Sequence, residues 1–196
     1  AVDECYCDIF RMNKPKPPGA LEAAASLDKG LDNLIIFNSL SKRSNASGMR
    51  AGFIAGDKKI IASYKLLVSN GASPVPIPIQ KVAAYLYDDE EHHTNACIHY
   101  DQNFSIVEKY LKPFYKDLKL PDAGFFLWLK VKDDQQAAKI LWNKFSLRVM
   151  PGSFMGKDIN GINPGNGFLR ISLVDNKDVI EETMKRIQLF LQSEIS

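Results

Sequence analysis

Two short continuous apolar runs, residues 34–37 (Leu-Ile-Ile-Phe) and residues 53–55 (Phe-Ile-Ala), bracket a polar stretch and predict two buried strands joined by a loop. Ala1-Val2 reads as the end of an earlier strand, which places Asp3 and Tyr6 at its carboxyl end. A proline-rich irregular loop over residues 12–19 and a short helix over residues 21–27 come between. After the second run, Asp57 is a predicted N-cap for a helix with Ile60, Ile61, Tyr64, Leu67 and Val68 on one face and Gly71 as its stop. Strand, loop, strand, helix is the rhythm of an α/β protein.

Three prolines, Pro74, Pro76 and Pro78, then fix an extended path and favour a helix start near Pro78. Cys97, Tyr100, Phe104, Val107, Leu111 and Phe114 alternate at three and four residues, predicting one long amphipathic helix over about residues 88–116. Asp88, Asp89, Glu90 and Glu91 fall where the helix dipole favours negative charge. His92, His93 and His99 lack a second ligand cluster and read as solvated helix histidines, not as a metal site. Residues 125–131 alternate as a strand, residues 134–145 form a helix with Ala137, Ala138, Leu141 and Trp142 inward, and residues 147–150 form a short strand. A Gly/Asn-rich loop over residues 151–167 leads to a strand over residues 168–174, where Arg170 shares a face with Phe168, Ser172 and Val174. An arginine there costs free energy unless it is paired. The last helix, capped by Asp175, carries Val179, Ile180, Thr183, Met184, Ile187, Phe190 and Leu191, and everything from about residue 96 reads as a compact second α/β unit.

Composition narrows the classes. With 196 residues, 45% of them hydrophobic, the chain has enough apolar surface for a core, and one or two domains fit the length. Lys plus Arg, 25, against Asp plus Glu, 23, leaves +2, too little to attract a polyanion, so nucleic acid and membrane are excluded as primary partners. No apolar run approaches the roughly 20 residues of a membrane span, and three cysteines without CxxC spacing fit a reducing cytoplasm. The chain opens on Ala1 inside an apolar stub and reads as a fragment of a longer protein.

The chemistry concentrates in the polar stretch, residues 38–52, at the carboxyl end of a strand, where α/β proteins place ligands. Ser39, Ser41 and Arg50 supply hydroxyls and a planar guanidinium suited to a phosphate. Lys42, partly desolvated beside another cation, is a candidate for imine chemistry. A purely structural loop is equally compatible with the spacing alone. The surrounding residues favour chemistry: Asp3 is placed to pair with a pyridinium nitrogen, Tyr6 to donate to a phenolate oxygen and Lys42 to form a Schiff base, the protein's part in pyridoxal phosphate chemistry.

Asp3-x-x-Tyr6, Ser39-x-Ser41-Lys42, Arg50-x-Gly52 and Arg170 together resemble the class I and II aminotransferases of fold type I, over essentially the whole chain. The resemblance implies a truncated α/β pyridoxal-phosphate transferase fold, with residues 1–95 a remnant of the large cofactor-binding domain and residues 96–196 the long helix and the complete small C-terminal domain. It also implies pyridoxal 5'-phosphate as cofactor, Lys42 as Schiff-base lysine and proton shuttle, and Ser39, Ser41 and Arg50 on the phosphate. Arg170 would lie on the substrate α-carboxylate, amino and keto acids would be the substrates, and the parent enzyme would be a homodimer whose second half of the pocket lies outside this chain.

Loop residues 150–154 and 160–165, with the run from Ser39 to Asn45, are similar to N-succinyldiaminopimelate aminotransferases of lysine biosynthesis, although Ser47 stands where that subfamily has a proline. The alternatives are a fold-type I aminotransferase of aromatic or aliphatic amino acids, or a non-catalytic cofactor-sensing module. Arg43 reads as a packing or solvated arginine rather than a second carboxylate site.

Overall fold

Strand β1 (Val2–Asp3) pairs in parallel with β2 (Ile35–Ser39) in the computed structural model of the protein, which describes residues 1–27 and 30–195. The register sets Asp3 beside Phe37, so β1 and β2 end on the same edge. Strand β3 (Gly52–Gly56) returns antiparallel to β2, with Ser39 opposite Gly52. Between them the polar stretch is no plain loop: it opens with a single helical turn, α2 (Leu40–Arg43), and closes with a 3-10 turn, Ser47–Met49. A short helix, α1 (Ala20–Ser26), precedes β2. Strand β2 is buried at Ile35 and Ile36 as expected, but β3 is not a buried strand: Phe53 is 43% exposed. It is an edge strand, paired with β2 in the sheet order β1-β2-β3.

Helix α3 (Lys58–Gly71) starts where Asp57 predicts, the carboxylate accepting from the amides of Lys59 at 2.6 Å and Ile60 at 3.3 Å. Helix α4 (Ile77–Asp88) has Pro78 in its first turn, where a missing N–H costs nothing. It packs on α2: Leu40, Ala51 and Ala83 form a small core with Ile79, Leu86 and Tyr87. The acidic run does not open one helix. Asp88 ends α4, Asp89 adopts an extended conformation, and α5 (Glu90–Leu111) begins after it with Asp89 accepting from Glu91 and His92 amides. Helix α5 also stops at Leu111, short of residue 116.

The chain divides into two compact units, Ala1–Ile98 and His99–Ser196. In the second, β4 (Phe126–Lys130), β6 (Phe168–Ser172) and β5 (Met150–Pro151) form an antiparallel sheet in the order β4-β6-β5. Its inner face, Leu127, Leu129, Leu169 and Ile171, is buried against Phe104, Val107 and Leu111 of α5, Leu141 of α6 (Asp134–Phe145), and Ile180, Met184 and Ile187 of α7 (Lys177–Ile195). Each such side chain contributes about 1.5–3 kcal/mol on burial.

Three expectations fail here for identifiable reasons. Residues 147–149 do not join β5, because Ser146 is left-handed and the Leu147 amide closes the end of α6 on the Leu141 carbonyl. Trp142 is 59% exposed, since Leu141 takes the inward position beside it. The cap of α7 is Asn176, accepting from the Val179 amide at 3.1 Å, while the Asp175 carbonyl accepts from Asn103 Nδ2; Val179, in the first turn, is exposed.

The loop before β6 is held from below by Asp134, buried at the start of α6, whose two carboxylate oxygens accept from the amides of Ser153 at 2.9 Å and Gly167 at 3.2 Å. Burial opposes its charge, but the Ser153 and Gly167 hydrogen bonds keep its carboxyl below the ordinary range. Asp134→Ala leaves both amides without that acceptor and is expected to lower unfolding free energy by about 1–3 kcal/mol, read by urea denaturation. With the folded pKa below the unfolded one, this contribution is complete above the unfolded value and fades as pH falls through the folded one. Wild type and Asp134→Ala should therefore converge in acid, and a constant difference down to acid unfolding would contradict this role. At the loop tip, Asn160 and Gly161 both have positive φ, 53° and 77°, and Ile159 and Ile162 exchange both backbone hydrogen bonds at 3.0 Å, a two-residue hairpin turn.

Candidate active site

In the first unit the ends of β1 and β2 present the residues singled out from the sequence. Asp3 closes β1, and its Oδ1 accepts from the Cys5 amide at 3.0 Å. Hydrogen bonding to Cys5 holds its carboxyl below the ordinary range, so it is an anion at neutral pH. The chain then folds into a tight turn, with Cys7 donating to the Glu4 carbonyl and Ile9 to the Tyr6 carbonyl. Tyr6 stands on this turn, 42% exposed, and Lys42 Nζ lies over its ring, 5.6 Å from the centroid.

Ser39 ends β2 and caps α2, its Oγ accepting from the Ser41 amide at 3.1 Å and donating to Ser41 Oγ at 2.9 Å. The two hydroxyls are thus adjacent, one residue from Lys42. The Ala51 carbonyl accepts from the Leu40 amide at 3.3 Å, which brings the backbone next to Arg50 alongside this cap. Arg50 itself is left-handed, with φ 52°, and its guanidinium donates to the Ser47 carbonyl at 3.2 Å.

Two neighbours in sequence point in different chemical directions. Lys42 is partly exposed, whereas Arg43 is buried at 5% exposure, donating to Glu90 Oε1 at 2.8 Å and to the Tyr87 carbonyl at 3.1 Å. Arg43 therefore has the packing role expected of it.

Sequence reasoning passed over four residues that shape this site. Asn38 accepts from the Tyr87 hydroxyl at 2.9 Å and donates to the Glu4 carbonyl at 3.4 Å, joining β2, the Tyr6 turn and α4. Burial, then the Asp8 charge, pushes Tyr87 up to about 12, so it stays a donor. Glu90 and His93 stand on the first turns of α5; His93 is not a solvated histidine but 5% exposed, bonded to the Asp8 carbonyl. The signal was the polar Asn38 inside an apolar run, and the core stripe of α5, which extends one step back from Cys97 to His93. Cys5 and Cys7, each pushed to about 11 chiefly by burial, are protonated thiols at neutral pH.

Arg170 stands in the second unit, on the outer face of β6 opposite Trp128, with its guanidinium over the Phe126 ring, 4.5 Å from the centroid. That stacking is the partner its place in an apolar strand requires. Among the described residues no group of His, Cys, Asp and Glu is placed to hold a metal ion, and no helix is long and apolar enough to cross a membrane.

Comparison with known proteins adds a family. The model of "Aminotransferase class I and II" matches residues 1–187. LL-diaminopimelate aminotransferase of Natranaerobius thermophilus is 30% identical over 194 residues, covering 94% of this chain and 46% of that protein. Among solved structures, an aminotransferase from Neisseria meningitidis is 38% identical with a TM-score of 0.90 over 96% of this chain and 48% of its own. Aminotransferase AspB from Helicobacter pylori is 27% identical with a TM-score of 0.86 over 97% of this chain and 49% of its own. The chain spans about half the length of the curated relatives it matches.

Proposed function

Since this chain belongs to the class I and II aminotransferases, we propose that residues 38–52, with Asp3 and Tyr6, form the cofactor-holding part of a transaminase site that moves an amino group from glutamate to a keto acid. The observation that carries this reading is the placement of Lys42 Nζ over the Tyr6 ring, on the residue that follows the Ser39–Ser41 hydroxyl pair in α2.

Pyridoxal 5'-phosphate fits the donor set. Asp3 is an anion suited to a protonated ring nitrogen, Tyr6 a phenol suited to a phenolate oxygen, and Ser39, Ser41 and Arg50 are donors suited to a phosphate. When bound, the cofactor supplies an aldehyde that captures amines and a ring that accepts electrons. Lys42 Nζ is the amine that holds the cofactor and moves the proton at the reacting carbon, and Arg170 grips the substrate α-carboxylate. Residues 1–95 then belong to the large domain and residues 96–196 to the small one, in a protein that works as a homodimer; sedimentation of the full-length protein tests the last point.

For the substrate we propose the succinylated keto acid of lysine biosynthesis, N-succinyl-2-amino-6-oxopimelate, on the strength of loop residues 150–154 and 160–165. The second reading is the unsuccinylated diaminopimelate substrate, favoured by the names of the relatives. Steady-state kinetics of the full-length protein with glutamate and each keto acid separates them. A kcat/KM for the succinylated acid at least about tenfold above that for the other, roughly 1.4 kcal/mol, is expected. The reverse order overturns the first reading, and activity confined to aromatic or aliphatic keto acids overturns both.

A further inference from the structure

The turn that carries Tyr6 and the helix that carries Lys42 are both fastened to the start of α5, and the fastening has a protonation state. His93 Nε2 meets the Asp8 carbonyl, two residues after Tyr6. A carbonyl only accepts, so Nε2 carries the proton. On the other side of the ring, Nδ1 is buried without an aligned hydrogen bond and lies 3.4 Å from Glu90 Oε2. A carboxylate also only accepts. The neutral ring with its proton on Nε2 therefore aims a bare lone pair at an anion, whereas the imidazolium keeps the Asp8 bond and sets a positive charge 3.4 Å from that carboxylate. The other oxygen of the same carboxylate, Oε1, accepts from Arg43, the residue after Lys42, at 2.8 Å.

The charged and titratable groups around the ring are few in kind. From α5 come Glu90 and Cys97, whose Sγ is 3.6 Å from Nε2 and also donates to the Asp8 carbonyl at 3.4 Å. From α2 comes the charge of Arg43, and from the Tyr6 turn comes Asp8, whose carboxylate pairs with Lys16 at 3.8 Å. The Phe10 ring packs at 6.3 Å.

We propose that His93, as an imidazolium, is a positioning residue that clasps the Tyr6 turn, through Asp8, to the Lys42 helix, through Glu90 and Arg43, and that the clasp opens when the ring loses its proton. The proposal rests on reading Lys42 and Tyr6 as cofactor side chains. The hydrogen bond with Cys97, more than the burial that opposes it, holds the His93 pKa above its ordinary value. With the folded value raised, the clasp contributes fully below the unfolded pKa of about 6.5 and is lost as pH rises through the folded one.

Histidine ring nitrogens of the full-length protein, followed by NMR from acid to mildly alkaline pH, give a direct test, with 3-fluorotyrosine reporting on Tyr6 and assigned through Tyr6→Phe. His93 is expected as an imidazolium at neutral pH, and the Tyr6 fluorine shift should move with the His93 midpoint. Glu90→Gln should lower that midpoint, and His93→Gln should remove it from the Tyr6 signal. In the holoenzyme kcat should fall about tenfold through the same midpoint with KM changed less than about twofold, a misalignment effect. A neutral ring at mildly acid pH, or a His93 titration that leaves Tyr6 unmoved, overturns the clasp. Should His93→Gln not fold, the wild-type titration and Glu90→Gln still decide. The NMR readout needs no cofactor, so its failure is distinct from failure of the Lys42 assignment, which borohydride labelling with pyridoxal phosphate tests separately.

Discussion

Lys42→Ala in the full-length protein is expected to lower the rate of transamination by on the order of 10⁴-fold, the upper end of what one positioned proton-transfer group supplies. The loss should fall on kcat, because Ser39, Ser41, Arg50 and Asp3, the residues proposed to hold the cofactor, are unaltered. The substitution should leave stability nearly untouched: Lys42 is partly exposed, and its helix is fixed by Leu40, fully buried beside Ala83, and by buried Arg43. Single-turnover kinetics, with thermal unfolding as control, measure both quantities. A variant that retains transamination within about tenfold of wild type is incompatible with the role of this lysine.

Arg170→Lys should raise the KM of the keto acid about 100-fold while keeping the positive charge. The loss expected from replacing a two-pronged guanidinium by a single ammonium on a carboxylate is about 1.5–3 kcal/mol. The wild-type guanidinium lies over the Phe126 ring, 4.5 Å from its centroid, a contact that restricts the fork before substrate arrives. A lysine has no planar group to hold there. Unchanged KM for both glutamate and keto acid in Arg170→Lys would remove Arg170 from the substrate site.

How far the chain was readable follows from which interactions decide each element. Helix α6 appears over residues 134–145 as the periodicity predicts, because its apolar face and its Asp133 cap are both local. The beginning of α5 was not readable in the same way. Four consecutive acids suit a helix start equally well at Asp88 or Glu90, and the choice is made by Asp89, which turns its carboxylate onto the Glu91 and His92 amides. His93 shows the opposite failure. Its place follows from the core stripe at Cys97, Tyr100, Phe104, Val107 and Leu111, but a histidine is not counted as apolar, and its partner, the Asp8 carbonyl, is 85 residues away. The hydroxyl pair next to Lys42 was legible because Ser39 and Ser41 are close to it in sequence. The support from Asn38, Tyr87 and Glu90 was not, since each bond there spans more than 30 residues.

The turn at Asn160-Gly161 has a practical use. Ile159 and Ile162 on either side of it are 66% and 71% exposed, whereas the base of the same loop is closed to added bulk, since a Cβ on Gly165 would collide with the Gly152 carbonyl oxygen. Exposed loop tips of this kind accept inserted residues far better than buried backbone does. A fluorophore or affinity handle built into this tip would report on the second unit while leaving the residues around Lys42 unaltered.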